Sequence, residues 1–273
     1  MRFELHCHTK HSVAGAPLDC MEEPIDVVRW AKRIGLDGIA ITDHDTINGW
    51  KTARTESRNQ GLVFIPGIEI SSRDGHILGL GVSDRIDAGL GIEETVDRIH
   101  DAGGIAVSAH PFDIRGHGAK ELLVKADAVE AFNALSIDRF SNMITERKAD
   151  DHGMPKVSGS DAHTLGMIGR ASINARAYDM DSMIREIRKG RATMGKRYVN
   201  LSEIKEWSRM RMIEAYIDML QYIDQRYGRY RAWAFKHLMK RFVLSTNPIW
   251  DVAARASLAG AMSVSLIKTI AYY

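Results

Sequence analysis

A chain of 273 residues with 45% hydrophobic and 26% charged residues has the composition of a globular protein that can bury one large core, and it excludes disordered, collagen-like and disulfide-scaffold classes. A formal net charge of +2 is too mild to require a nucleic-acid partner. With two cysteines, Cys7 and Cys20, a disulfide framework or a Cys-based zinc ribbon is not expected, and a reducing, cytoplasmic location is.

Taken in chain order, short apolar runs alternate with helical patterns, the signature of repeated βα units on a parallel sheet. A strand over Arg2 to Leu5 leads to a helix over Pro24 to Ile34, with proline in its first turn. A strand at Gly38 to Thr42, a helix at Ile47 to Asn59 and a strand at Leu62 to Pro66 follow. Ile77 to Gly81 reads as a strand, Ile92 to Ala102 as a helix, and Ile105 to Ala109 and Ala128 to Phe132 as strands. A helix over Asp138 to His152, a strand over Lys156 to Gly159, a helix over Met180 to Lys189 and a strand over Ala192 to Met194 complete the set. So many units within residues 1 to 198 suit a barrel better than an open sheet, and in parallel barrels functional groups gather at the C-terminal ends of the strands.

Residues 199 to 273 read as helices without strands: Leu201 to Gln225, Tyr230 to Phe242 and Trp250 to Tyr272. From Leu201 onward 4 Lys and 7 Arg oppose 6 Asp and Glu, so this extension is basic and the preceding part mildly acidic. Its most apolar stretch, Val252 to Ile267, contains Arg255 and is shorter than a membrane span needs, which predicts a packed helix. The first residues lack the zones of a signal peptide, so no export is expected.

The predicted strand ends carry His6, His8, Asp43, His44, Glu69, His76, His110, Asp161 and His163. Singly, each has a bland structural explanation; their recurrence does not. His6-Cys7-His8 puts two imidazoles on one face of a strand, and Asp161-Ala162-His163 repeats that spacing with a carboxylate, a donor mixture suited to zinc, manganese or iron. Glu69 is a carboxylate within an apolar run, where cations would offset the cost of burial. Nine donors exceed the needs of one tetrahedral ion and suit two or three.

Glu4-Leu5-His6-Cys7-His8-Thr9, Gly35 to Asp45, Gly67-Ile68-Glu69-Ile70-Ser71, His76-Ile77-Leu78-Gly79, Ala109-His110-Pro111 and Gly159-Ser160-Asp161-Ala162-His163 occur in an order that resembles the PHP (polymerase and histidinol phosphatase) family. The resemblance covers about residues 1 to 195 and implies a distorted seven-stranded β/α, TIM-like barrel with phosphoester hydrolysis at two or three divalent ions; the barrel domain is expected over residues 1 to 198 with the C-terminal helical extension after it, and a metal-bridging hydroxide is the expected nucleophile. The resemblance implies that His6, His8, Glu69 and Asp161 hold one ion, that Glu69 bridges to a second at His76 and His110, and that His44 and His163 take a third, with Asp43 as ligand or support. Glu69, His163 and His44 are the expected catalytic groups, either histidine serving as proton donor. The chain departs from the family in the loop His11-Ser12-Val13-Ala14-Gly15, where His11 or Asp19 would have to replace a missing ligand or the third position be weakly filled.

Arg170, Ser71, Arg115 and His117 are candidate substrate contacts on rim loops, weighed against ordinary solvated roles. The expected partner is a small phosphorylated substrate or a nucleotide. In the extension, Arg226, Arg229, Arg231 and Lys236 interleave with Tyr222, Tyr227, Tyr230, Trp233 and Phe235, which leaves nucleic acid as an alternative partner, although aromatics at helical spacing are more often core. The small residues near Gly260 allow a homo-oligomer through the C-terminal helices.

Overall fold

The computed structural model describes residues 1–13, 19–245 and 247–272; Ala14 and Gly15 of the divergent loop lie outside them. Nine strands form one sheet in the order β7-β6-β5-β4-β3-β2-β1-β8-β9. They are β1 (Arg2–Glu4), β2 (Gly38–Ile41), β3 (Val63–Ser72), β4 (Gly75–Leu80), β5 (Ile105–Ser108), β6 (Ala128–Asn133), β7 (Lys156–Gly159), β8 (Ala171–Asn174) and β9 (Thr193–Lys196). The resemblance implies seven strands, so this count is a correction. The added pair, β8 and β9, lies antiparallel on the far side of β1.

The sheet curls until it almost closes. Beyond the end of β1, Cys7 bridges Ala162 in parallel: the His8 amide donates to the Ala162 carbonyl at 2.9 Å and the Ala162 amide to the His6 carbonyl at 3.2 Å. These bonds bring the His-x-His and Asp-x-His segments together side by side.

The sheet is mixed, not all parallel. β3 runs on through Glu69 to Ser72 and turns directly into β4, so β3–β4 and β4–β5 are antiparallel. A parallel neighbour requires a crossover; the short turn at Arg73 and Asp74 permits only an antiparallel one.

Helices α1 (Pro24–Arg33), α2 (Trp50–Gln60), α3 (Ile92–Asp101), α4 (Phe140–Asp151) and α5 (Met180–Arg188) cover the sheet. In α1, Val27, Val28 and Ala31 recur at helical spacing and are buried, while Gly61 ends α2 at φ 64°, where a side chain would be strained. Ile39, Ile41, Ile65, Ile68, Ile70, Ile77 and Leu78 are fully buried, each such side chain contributing roughly 1.5–3 kcal/mol.

After β9 come four helices, α6 (Leu201–Glu214), α7 (Tyr216–Arg226), α8 (Arg229–Leu244) and α9 (Ile249–Tyr272). The continuous helix expected over Leu201 to Gln225 is broken at Ala215, which caps α6 and precedes α7. No helix of the described residues is long and apolar enough to cross a membrane. The aromatics expected to be core are largely outside it: Tyr222, Tyr230, Trp233 and Phe235 are exposed, and the small core between α7 and α8 uses Ile223, Ala232 and Met239.

Candidate metal centre

Alternation along β1 and its extension turns Glu4, His6 and His8 to one side, and all three are buried. Glu69 enters from the middle of β3, and a parallel bridge between His44 and Glu69 carries the β2–β3 pairing into the site, the Asp45 amide donating to the Glu69 carbonyl at 2.9 Å. His76 is the second residue of β4, and His110 and Asp161 follow β5 and β7 with positive φ of 27° and 51°. Such conformations are costly for residues with a Cβ and concentrate at functional sites, where the surroundings hold them.

Glu69, fully buried, is the centre of the cluster. Its Oε2 lies 3.0 Å from His6 Nε2, 3.3 Å from His8 Nε2 and 3.4 Å from His44 Nε2. Its Oε1 lies 2.8 Å from His76 Nδ1 and 3.1 Å from His110 Nε2. Asp161 Oδ1 stands 3.2 Å from His8 Nε2. On the outer side His163 Nε2 is 3.0 Å from Asp19 Oδ2.

Three overlapping groups have donor atoms close enough to share an ion: His6, His8, Glu69 and Asp161; His8, Asp19 and His44; and His44, Glu69 and His76. Asp19, and not His11, therefore comes to the site from the divergent loop. Asp43 sits apart from these groups, its two oxygens accepting the Thr9 amide at 2.5 Å and the Thr9 hydroxyl at 2.7 Å.

The electrostatics follow from this packing. Burial alone would raise Glu69, but the imidazoles of His44, His6 and His76 hold its carboxyl well below the usual range. Asp161 is held low, against burial, by His6 and His8. Burial would lower His8, yet hydrogen bonds to Asp161 and Glu69 push it up to about 10, and Glu130 and Glu69 raise His6 in the same way. His44 is driven down to about 3 by burial.

The donors fit divalent cations. Imidazoles and carboxylates converge in a mixed nitrogen and oxygen set, and the buried Nδ1 atoms of His44 and His110 have no hydrogen-bond partner among the described residues.

Residues that the sequence reading passed over complete the site. Glu130, buried on β6, lies 2.9 Å from His6 Nδ1 and accepts the Asn133 side-chain amide and the His110 backbone amide. Glu4 accepts the Ser160 and Gly169 amides, tying β1 to the loop that carries Asp161. Both are carboxylates in apolar strands, the same signal that singled out Glu69.

No local sequence pattern points to Trp207 or Arg211. At the start of α6 the Asn200 amide donates to the Glu203 carboxylate at 2.9 Å, Glu203 pairs with Arg170, and one turn later Trp207 lies with its ring centroid 4.5 Å from that of His163, its Nε1 donating to the Asp19 carbonyl at 2.9 Å. Arg170 is thus committed to α6. The Arg211 guanidinium stacks 4.9 Å from the Trp207 ring. Ser71, Arg115, His117, Trp207 and Arg211 line a cavity of about 490 Å³ above the histidines, and Arg115 Nη2 stands 3.5 Å from Asp161 Oδ2.

A barrel mouth lined with convergent imidazole and carboxylate donors defines the class. The chain belongs to the PHP domain family, whose sequence model matches residues 4–126, with a PHP-associated segment at residues 139–192. It is 35% identical over 156 residues to the uncharacterized protein MJ1587 of Methanocaldococcus jannaschii, spanning 54% of this chain and 91% of that one. It is similar to a 5'-3' exoribonuclease of Haemophilus influenzae, 35% identical over 83 residues, 29% of this chain and 28% of that protein. A two-domain Bacteroides vulgatus protein, described as containing a predicted PHP-like metal-dependent phosphoesterase, shares the fold with a TM-score of 0.57 at 18% identity, over 72% of this chain and 65% of that one.

Proposed function

We propose that this protein is a metal-dependent hydrolase of phosphate esters with three cation positions. The observation that carries the reading is the division of Glu69, which turns one oxygen to His6, His8 and His44 and the other to His76 and His110. One carboxylate facing two donor sets could serve two cations at once. His6, His8, Glu69 and Asp161 would hold a first ion, Glu69 and His76 a second with His44 or with His110, which lies 3.1 Å from Glu69 Oε1, and Asp19 and His44 a third with His8 or with His163, which lies 3.0 Å from Asp19. Divalent cations in such a set supply Lewis acidity, lowering the pKa of water from about 15.7 toward about 7 and offsetting charge on phosphoryl oxygens.

The protein's own groups do the rest. Glu130 fixes the His6 ring from behind, so that Nε2 is the atom presented to the site. Asp43 anchors the Thr9 backbone and the turn that follows His8. Arg115, paired with Asp113 at 2.7 Å and half-exposed, presents its planar fork at the rim, where it can take phosphate oxygens. Ser71 and His117 face the same cavity as further hydrogen-bonding groups. His163 turns one nitrogen to the Asp161 carbonyl at 2.8 Å and the other to Asp19, which suits a ligand better than a proton donor; His44 keeps Nδ1 unpaired.

Hydrolysis of one phosphomonoester and one phosphodiester by the zinc-, manganese- and iron-loaded protein, with and without chelator, tests the reading. Metal-dependent turnover of either ester supports it, and no turnover with any metal contradicts it. A second reading, binding of single-stranded nucleic acid by α8, draws on the exposed Tyr230 and Trp233 beside Arg229 and Arg231. Salt-sensitive retention of an oligonucleotide, lost in Trp233→Ala, would support it.

A further inference from the structure

Beside the polar cavity lies a second one of about 450 Å³. Arg115 and Trp207 line both, so the two share a wall at the barrel mouth. The second is apolar, formed by Leu135 after β6, Ile204 on α6, Phe242 on α8 and Leu258 on α9, with Ala254 leaving room on the α9 side.

Most polar groups there are already satisfied. Asp138 accepts from Ser141 and from Ser265, Lys205 pairs with Asp251, and Asp113 pairs with Arg115. Two are not: Ser136 Oγ and Trp250 Nε1 are buried without a hydrogen-bond partner among the described residues, and both line this cavity. A buried donor left unpaired is unfavourable, and an acceptor on a ligand relieves it. Ser136 is also tied to the metal centre, because its amide donates to Asn133 Oδ1 at 3.1 Å and the Asn133 side-chain amide stands 3.3 Å from Asp161 Oδ2.

We propose that this cavity is the leaving-group subsite: the substrate is a phosphate ester whose alcohol carries an apolar body with a hydrogen-bond acceptor, seated among α6, α8 and α9 while its phosphate lies under Arg115. The inference rests on the phosphoesterase reading. In the hydrolysis a water oxygen bonds to phosphorus, the ester oxygen leaves with the P–O bonding pair, and a proton from that water ends on the departing alcohol. The apolar body stays in the second cavity and only the phosphate changes its bonding. Each methylene seated there strengthens binding roughly fourfold.

The test uses metal-loaded full-length protein and ethyl, hexyl and decyl phosphate, primary esters whose leaving groups differ in length and hardly in acidity. KM falls more than tenfold from ethyl to decyl while kcat changes little. Ala254→Phe, which fills the cavity away from the metal ligands, raises KM for decyl phosphate at least tenfold more than KM for ethyl phosphate, and an unchanged circular dichroism spectrum shows that the variant is folded. Decylphosphonate, which cannot be hydrolysed, saturably changes the tryptophan fluorescence of wild type and not of Ala254→Phe. Hydrolysis without chain-length dependence, or equal effects of Ala254→Phe on all three esters, overturns the subsite and leaves the phosphoesterase standing. If no ester is hydrolysed the phosphoesterase reading fails, and the phosphonate titration alone decides the cavity: no binding, or binding unaltered by Ala254→Phe, overturns it.

Discussion

Glu130 Oε1 stands 2.9 Å from Nδ1 of His6, on the side of the ring opposite Glu69. A carboxylate in this position fixes the tautomer and orientation of a metal-binding imidazole, and losing such a partner commonly costs 10- to 100-fold in metal affinity. Glu130→Gln keeps the size of the side chain and removes the charge. The expected result is metal affinity reduced by about 10- to 100-fold in competition with a chelating dye, with the circular dichroism spectrum unchanged.

Asp19 decides the outermost position, because it pairs with His163 at 3.0 Å beneath Trp207. Asp19→Asn should lower the metal content by about one ion per chain and spare the Glu69 positions, since a neutral amide is a weak ligand for these cations. Elemental analysis after gel filtration checks it; unchanged content would remove Asp19 from the ligand set.

Gly159 has no room for a side chain. A Cβ there would meet Glu130 Oε1 at 2.2 Å and His6 Cβ at 2.5 Å. Gly159→Ala should therefore cost roughly 1–3 kcal/mol in denaturant unfolding and loosen metal binding as well, because the backbone must shift at the two groups that orient His6.

The pH dependence of the metal-free protein has a definite sign. His6 and His8 have raised pKa values, so their stabilising contribution is complete below about pH 6.5 and is lost as pH rises toward the His8 value of about 10. Glu69 and Asp161 are depressed and contribute above about pH 4, losing that contribution on acidification. His44, lowered to about 3, also contributes fully above about 6.5 and loses that below. The Tm of chelator-treated protein should peak near neutrality and decline toward pH 10. With cations bound, the imidazoles are already neutral and the alkaline decline should disappear. A metal-free Tm that rises from pH 7 to 9 would contradict the charge assignment.

Much of this was legible in the sequence, and for identifiable reasons. His6, His8, Glu69 and Asp161 announce themselves because charge and imidazole recur at period two in otherwise apolar strands. Glu130 carried the same signal in Ala-Val-Glu-Ala-Phe-Asn. Strand β3 read as ending at Pro66 because Glu69, Ser71 and Ser72 dilute its apolar pattern, which hid the hairpin with β4 and the antiparallel pairing. Strand β8, Ala-Ser-Ile-Asn, has one large apolar residue and gave no signal. The Trp207–Asp19 contact joins residues 188 apart, and no local pattern encodes it.

The most direct test is elemental analysis of the protein reconstituted with each divalent metal, paired with phosphoester hydrolysis, in wild type and Glu69→Ala. The expected result is about three ions per wild-type chain, at most about one in Glu69→Ala, and turnover lost in the variant, because Glu69 faces two of the three positions. A wild-type chain that binds no metal, or a Glu69→Ala variant with full metal content and full turnover, would contradict it.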